Sequence, residues 1–182
     1  MIYIVDYLNL LFLTILLLKF CYSLYENSID LRGENDQLIK HMTDKNKKNS
    51  IEHVYPQTPK VEDYWEKQFN GYDDGMKRIC KNMLGNLLLL NRKLNSKQSN
   101  KNFKDKCNNK DDPKCSYIYG TYAEKEVAEY IDWNPNNIIL RSEKMVKSLN
   151  VLWGLDFDED QIKKLIGSGK NLVEIKDGNV NF

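Results

Sequence analysis

Two short strand-like runs, set far apart in a chain otherwise patterned for helices, constrain the fold most. Residues 51–55 (IEHVY) carry β-branched and aromatic side chains and are stopped by Pro56 and Pro59, because proline cannot donate to a sheet ladder. Residues 87–90 (LLLL) are too short and too uniformly apolar to be assigned by period. Their bracketing by Gly85-Asn86 and Asn91 favours a buried strand paired with the first. Between the two runs, residues 61–69 suit a short helix, with Val61, Trp65 and Phe69 at four-residue spacing on one face. Residues 70–75 (NGYDDG) are turn chemistry, and residues 76–83 form a further helical turn. Residues 91–103 then supply a candidate helix, although their asparagines lower its propensity.

The flanks read as helical. Residues 1–27 form one helix and residues 31–44 a polar helical connection. Residues 45–50 (KNKKNS) are a basic turn, and residues 104–116 a loose loop rich in lysine and asparagine. Helices follow over 122–131 and, opened by Pro135, over 138–153. From Gly154 the chain is acidic and then glycine-rich, a peripheral tail. The run 2–18 is strongly apolar, densest at 10–18, and a membrane segment has to be weighed. No basic residue precedes it, Asp6 and Asn9 interrupt it, and Lys19 ends it at a marginal length. A buried helix is the favoured reading, so no stable membrane association is expected. The divisions are 1–44, apolar helix and connector; 45–110, core; 111–154, carboxy-terminal helices; and 155–182, tail. The class is α+β, mainly α-helical.

The 182 residues suffice for one domain with a real core. A net charge of +1 gives no global preference for polyanions. Locally, Arg92, Lys93, Lys97, Lys101, Lys104, Lys106 and Lys110 are opposed only by Asp105. Phosphate binding and a solvated loop explain that segment equally well. The four cysteines include no C-x-x-C pair, so no structural zinc is expected. Free thiols in a cytoplasmic protein are the better reading. There is no G-x-x-x-x-G-K phosphate loop.

His53, one of only two histidines, follows Glu52 at the end of the first strand-like run. A neutral imidazole can take a proton from water near pH 7. Adjacent strand residues point to opposite faces, so Glu52 and His53 reach one site only through a twist or bulge near Pro56.

The ordered set is Ile51-Glu52-His53-Val54-Tyr55-Pro56-Gln57, then Leu84-Gly85-Asn86-Leu87-Leu88-Leu89, then Asn95-Ser96-Lys97 with Asn100, Phe103 and Lys106 downstream. With Trp133, Ile138, Arg141 and Trp153 it resembles the carboxy-terminal nuclease domain of the GmrSD-type, modification-dependent restriction endonucleases. That is a branch of the HNH (ββα-metal) nucleases. The resemblance implies a helical domain carrying a ββα-metal motif over 45–110. It also implies a metal-dependent endonuclease that hydrolyses DNA phosphodiester bonds in a restriction or phage-defence system. His53 would be the general base, and Asn86 would orient it or the loop around it. Glu52 and Asn95 would bind a divalent cation, magnesium or manganese, with Asn91 competing for the second place. Arg92, Lys97, Lys101 and Lys106 would contact nucleic acid, with Lys97 near the phosphate. Arg141 is a phosphate contact or, the favoured reading, half of a structural ion pair. Full-length members carry an amino-terminal NTPase-like domain, expected here as a partner. Two alternatives are a non-catalytic nucleic-acid-binding remnant of such a nuclease and a membrane-anchored interaction protein.

Overall fold

A computed structural model describes residues 15–17, 20, 49–59 and 63–166. The expectations for 21–48 and 167–182, and for most of the apolar amino-terminal run, lie outside the described residues. Strands β1 (Asn49–His53) and β2 (Leu87–Asn91) form a two-stranded antiparallel sheet. His53 stands opposite Leu87, Glu52 opposite Leu88, and Asn49 opposite Asn91. Between the strands lie α1 (Asp63–Gln68), α2 (Asp74–Asn82) and a 3-10 turn (Leu84–Asn86). After β2 come α3 (Arg92–Gln98), α4 (Phe103–Cys107), two 3-10 turns (Pro113–Cys115 and Tyr117–Tyr119), α5 (Tyr122–Ala128), α6 (Pro135–Trp153) and α7 (Glu159–Leu165). The fold is therefore α+β and mainly helical.

β2 is buried on both faces, which explains its unbroken leucine run. Alternation sends Leu88 and Leu90 into a core with Val54, Tyr55, Trp65, Phe69, Phe103, Trp133 and Ile138. Leu87 and Leu89 face a second cluster with Met145 and the described amino-terminal residues Leu17 and Phe20. The described part of the apolar run thus packs as a helix against β2 and α6. No helix among the described residues is long and apolar enough to cross a membrane.

The ends of α6 follow ordinary capping chemistry. Asn134 accepts from the Asn137 N–H, Pro135 takes the first helical position, and Gly154 closes the helix with φ 59°. Gly85 is needed for a different reason: a Cβ there would collide with the Ile138 carbonyl and with Ser142 on α6. Its N–H instead donates to Ser142 Oγ at 2.8 Å, so α6 lies directly on the turn that introduces β2.

Three sequence expectations are corrected. The helix read over 91–103 stops at Gln98, because Ser99 adopts φ 46°. Residues 104–116 are ordered, not loose: α4 and two 3-10 turns are tied down where Gln98 Nε2 donates to the Cys115 carbonyl and the Asn109 N–H donates to Ser116 Oγ. The tail contains α7, opened by a capping box between Asp158 and Gln161.

Candidate active site

His53 closes β1, half-buried at the edge of the sheet. The chain then leaves the strand, but the ladder continues for one more residue through Val54 N–H, which donates to the Asn86 carbonyl at 3.0 Å. Next, the Asn86 side chain takes over. Its Oδ1 accepts from the Tyr55 N–H at 2.7 Å and from Trp133 Nε1 at 2.9 Å. Its Nδ2 donates to the Tyr55 carbonyl at 3.0 Å and the Lys81 carbonyl at 2.9 Å. A fully buried amide with every hydrogen-bonding valence used acts as a fixed bracket. Asn86 holds the turn beyond His53 with bonds to Tyr55, Lys81 and Trp133 and not to the imidazole, so its place is structural support of the site.

On the imidazole itself, Gln57 Nε2 lies 3.3 Å from His53 Nε2 and donates to it in the tautomer with the proton on Nδ1. Burial holds the His53 pKa below its ordinary value, and the nearby Lys106 ammonium pushes the same way. His53 is therefore neutral at pH 7, the form able to accept a proton.

Glu52 takes the opposite face, as strand alternation requires. The residue is only 3 % exposed. Oε1 accepts from Lys106 Nζ at 2.6 Å and from the Tyr117 hydroxyl at 2.9 Å. Lys106 Nζ also donates to the His53 carbonyl at 2.9 Å. Burial raises the Glu52 carboxyl and lowers the Lys106 ammonium, while their mutual attraction draws both back towards the ion pair. Lys106 was expected at a DNA surface. It is instead 0 % exposed and turned inward, because α4 faces β1 and the carboxylate of Glu52 needs a buried counter-charge.

This geometry bears on the divalent cation expected from sequence. Among the described residues no three of His, Cys, Asp and Glu gather into a metal cage. Magnesium asks for only one or two protein oxygens, yet the carboxylate meant to supply one already holds a tethered ammonium. With Lys106 in place, Glu52 does not fit the role of a metal ligand. Asn95, half-buried on α3, uses Nδ2 to donate to Ser50 Oγ at 2.9 Å and to the Ile51 carbonyl at 2.8 Å, pinning α3 to β1. Asn91 caps α3 by accepting from the Lys93 N–H.

Arg92 is exposed at the start of α3. Lys97 is exposed and pairs with Asp112 at 2.7 Å; a surface pair of this kind is screened and gives way readily to a phosphate. Lys101 is half-buried and borders a cleft of about 570 Å³ that Lys104 and Lys110 also line. Arg141 is 0 % exposed. Its Nε donates to Glu126 Oε2 at 2.7 Å, and Nη1 to the Gly85 and Leu87 carbonyls at 2.7 and 3.0 Å. The structural ion pair is the role it fills.

The sheet, the α3 helix pinned to it, His53 at the strand end and Asn86 bracketing the next turn occupy the stretch that a family model matches. The description of that model is "GmrSD restriction endonucleases, C-terminal domain", and the match covers residues 6–148. The chain belongs to this family. No curated protein and no solved structure matches it. The GmrSD carboxy-terminal domain thus places its Glu-His pair on two faces of one strand: His53 at the accessible edge, Glu52 in a buried network with Lys106 and Tyr117. The sequence held no signal for Tyr117, which directly follows the segment read as loose. Gln57 was quoted in the motif but given no role.

Proposed function

We propose that this GmrSD carboxy-terminal domain hydrolyses phosphodiester bonds in DNA, with His53 as the general base. The observation that carries the reading is the half-buried imidazole at the end of β1, whose backbone is held on both sides. Lys106 grips the His53 carbonyl, and Asn86 brackets the turn that follows. A base so held can meet water in one orientation, which favours proton transfer. Gln57 donates to His53 Nε2 in the same tautomer that leaves this nitrogen as the acceptor. Because Gln57 is exposed, it can yield that position to the attacking water. Exposed Arg92 and Lys97 and half-buried Lys101 supply cations for the phosphates.

The sequence resemblance supports a divalent cation as the group that would stabilise the departing oxygen. Glu52, held by Lys106, does not offer its carboxylate to such an ion. Target choice and any restriction role belong, on the same resemblance, to an amino-terminal NTPase-like partner. The Glu52–Lys106 pair also favours a second reading, a domain that grips DNA without cutting it. Nicking of supercoiled plasmid by the purified chain, with magnesium or manganese, separates the two: strand breaks that need His53 support hydrolysis, and salt-sensitive binding without breaks supports the second.

A further inference from the structure

Besides the basic segment 92–110, the structure has a second basic cleft, bordered by Gln57. It holds about 570 Å³ between α2 and the turn beyond β1. Tyr55 and Trp65 form its aromatic floor, and Gln57 borders it. Lys77, Arg78 and Lys81 line it from α2, with Glu66 and Asp74 as the opposing charges. Three cations against two carboxylates leave the cleft net positive. Among the described residues none of these three cations is in an ion pair.

Two contacts tie this cleft to His53. Gln57 belongs to both, bordering the cleft while its amide nitrogen sits 3.3 Å from His53 Nε2. Asn86 provides the second tie, because its Nδ2 binds the carbonyls of Tyr55 and Lys81 together. One buried amide therefore fixes the cleft wall, the cleft floor and the turn after His53 in a single unit. Lys81 Nζ is further held 5.4 Å from the Tyr55 ring centroid, a cation–π placement that keeps the ammonium over the floor. Lys77 and Lys81 are one helical turn apart, about 6 Å along the axis.

Resting on the reading of this domain as a DNA nuclease, we infer that this cleft is the track for the substrate strand, with Lys77, Arg78 and Lys81 holding phosphates adjacent to the bond presented to His53. The occupant is a DNA strand, because the net positive charge of the lining complements its phosphate backbone.

The test is fluorescence anisotropy of a labelled DNA duplex against salt, using the full chain. The Lys77→Gln/Arg78→Gln/Lys81→Gln variant is compared with wild type and with the remote variant Lys125→Gln, an exposed lysine of α5 outside the cleft. Each lost phosphate contact lowers the salt slope by about 0.9. The triple variant is expected to lose about 2 to 3 in slope and to bind at least about tenfold more weakly near 0.1 M salt, with the remote variant unchanged. If the triple variant does not fold, Lys77→Gln and Arg78→Gln singly are expected to lose about 0.9 each. An unchanged slope in the folded variants, or an equal loss in the remote variant, overturns the track. Wild type that still binds and nicks DNA in that case leaves the nuclease reading standing; wild type that neither binds nor nicks overturns both.

Discussion

Asn86 holds Tyr55 by both backbone groups, accepting from its N–H at 2.7 Å and donating to its carbonyl at 3.0 Å. The side chain imitates a strand neighbour for a residue that has already left the sheet. Replacing it by alanine orphans two buried donors, the Tyr55 N–H and Trp133 Nε1, at about 1–3 kcal/mol each. Asn86→Ala is expected to lose about 3 kcal/mol or more in urea denaturation. A loss below about 1 kcal/mol would mean that the bracket is not what fixes this turn.

The Glu52–Lys106 pair makes a second prediction. Removing one member of a buried pair leaves the other charge uncompensated, at about 3–5 kcal/mol. Lys106→Met is expected to fall in that range, and Glu52→Gln/Lys106→Met to be less destabilised than the sum of its single variants. Strict additivity in the double-mutant cycle would show that the two side chains do not interact.

The same pair makes Glu52 unavailable to a cation. Titration with Mn²⁺, followed by electron paramagnetic resonance, is expected to find no stoichiometric site that depends on Glu52 in the wild-type chain. A one-to-one site abolished by Glu52→Gln would show that manganese displaces Lys106.

Glu124 gives a pH signature. Burial raises its carboxyl to about 7 from the ordinary 4.5, against the Thr121 N–H and hydroxyl that favour the carboxylate. A raised folded pKa means that the folded state holds the extra proton. The associated stability is present below about pH 4.5 and is lost as pH rises through about 7. The loss is on the order of 3 kcal/mol. Glu124→Gln keeps a capping-box partner for Thr121, and its stability is expected to fall less than wild type between pH 5 and pH 8. Parallel slopes for the two proteins would place the titrating group elsewhere.

How much of this was legible in the sequence depends on the range of each interaction. β1, β2 and the helices between them announce themselves through proline stops, turn residues and local periodicity, and α+β follows directly. Strand alternation already warned that Glu52 and His53 diverge. The carboxylate's partners were not legible, because Lys106 and Tyr117 lie 54 and 65 residues away, and nothing local marks a lysine as inward-facing. Lys106 sits among surface lysines in a charge run, so it was read as a nucleic-acid contact at the surface. Residues 104–116 were read as loose for the same reason: their order comes from side-chain bonds such as Asn109 to Ser116, which no helical or strand period reveals. The α2 cations were missed because Lys77, Arg78 and Lys81 are diluted by apolar neighbours and become a patch only when α2 folds against Tyr55.

His53 is the residue on which the functional account turns, and plasmid nicking by wild type and His53→Ala is the most direct measurement. The variant is expected to fold normally and to nick about 10²- to 10⁴-fold more slowly, the usual worth of a positioned general base. Undiminished nicking by a folded His53→Ala chain would contradict the assignment and move the base to another group.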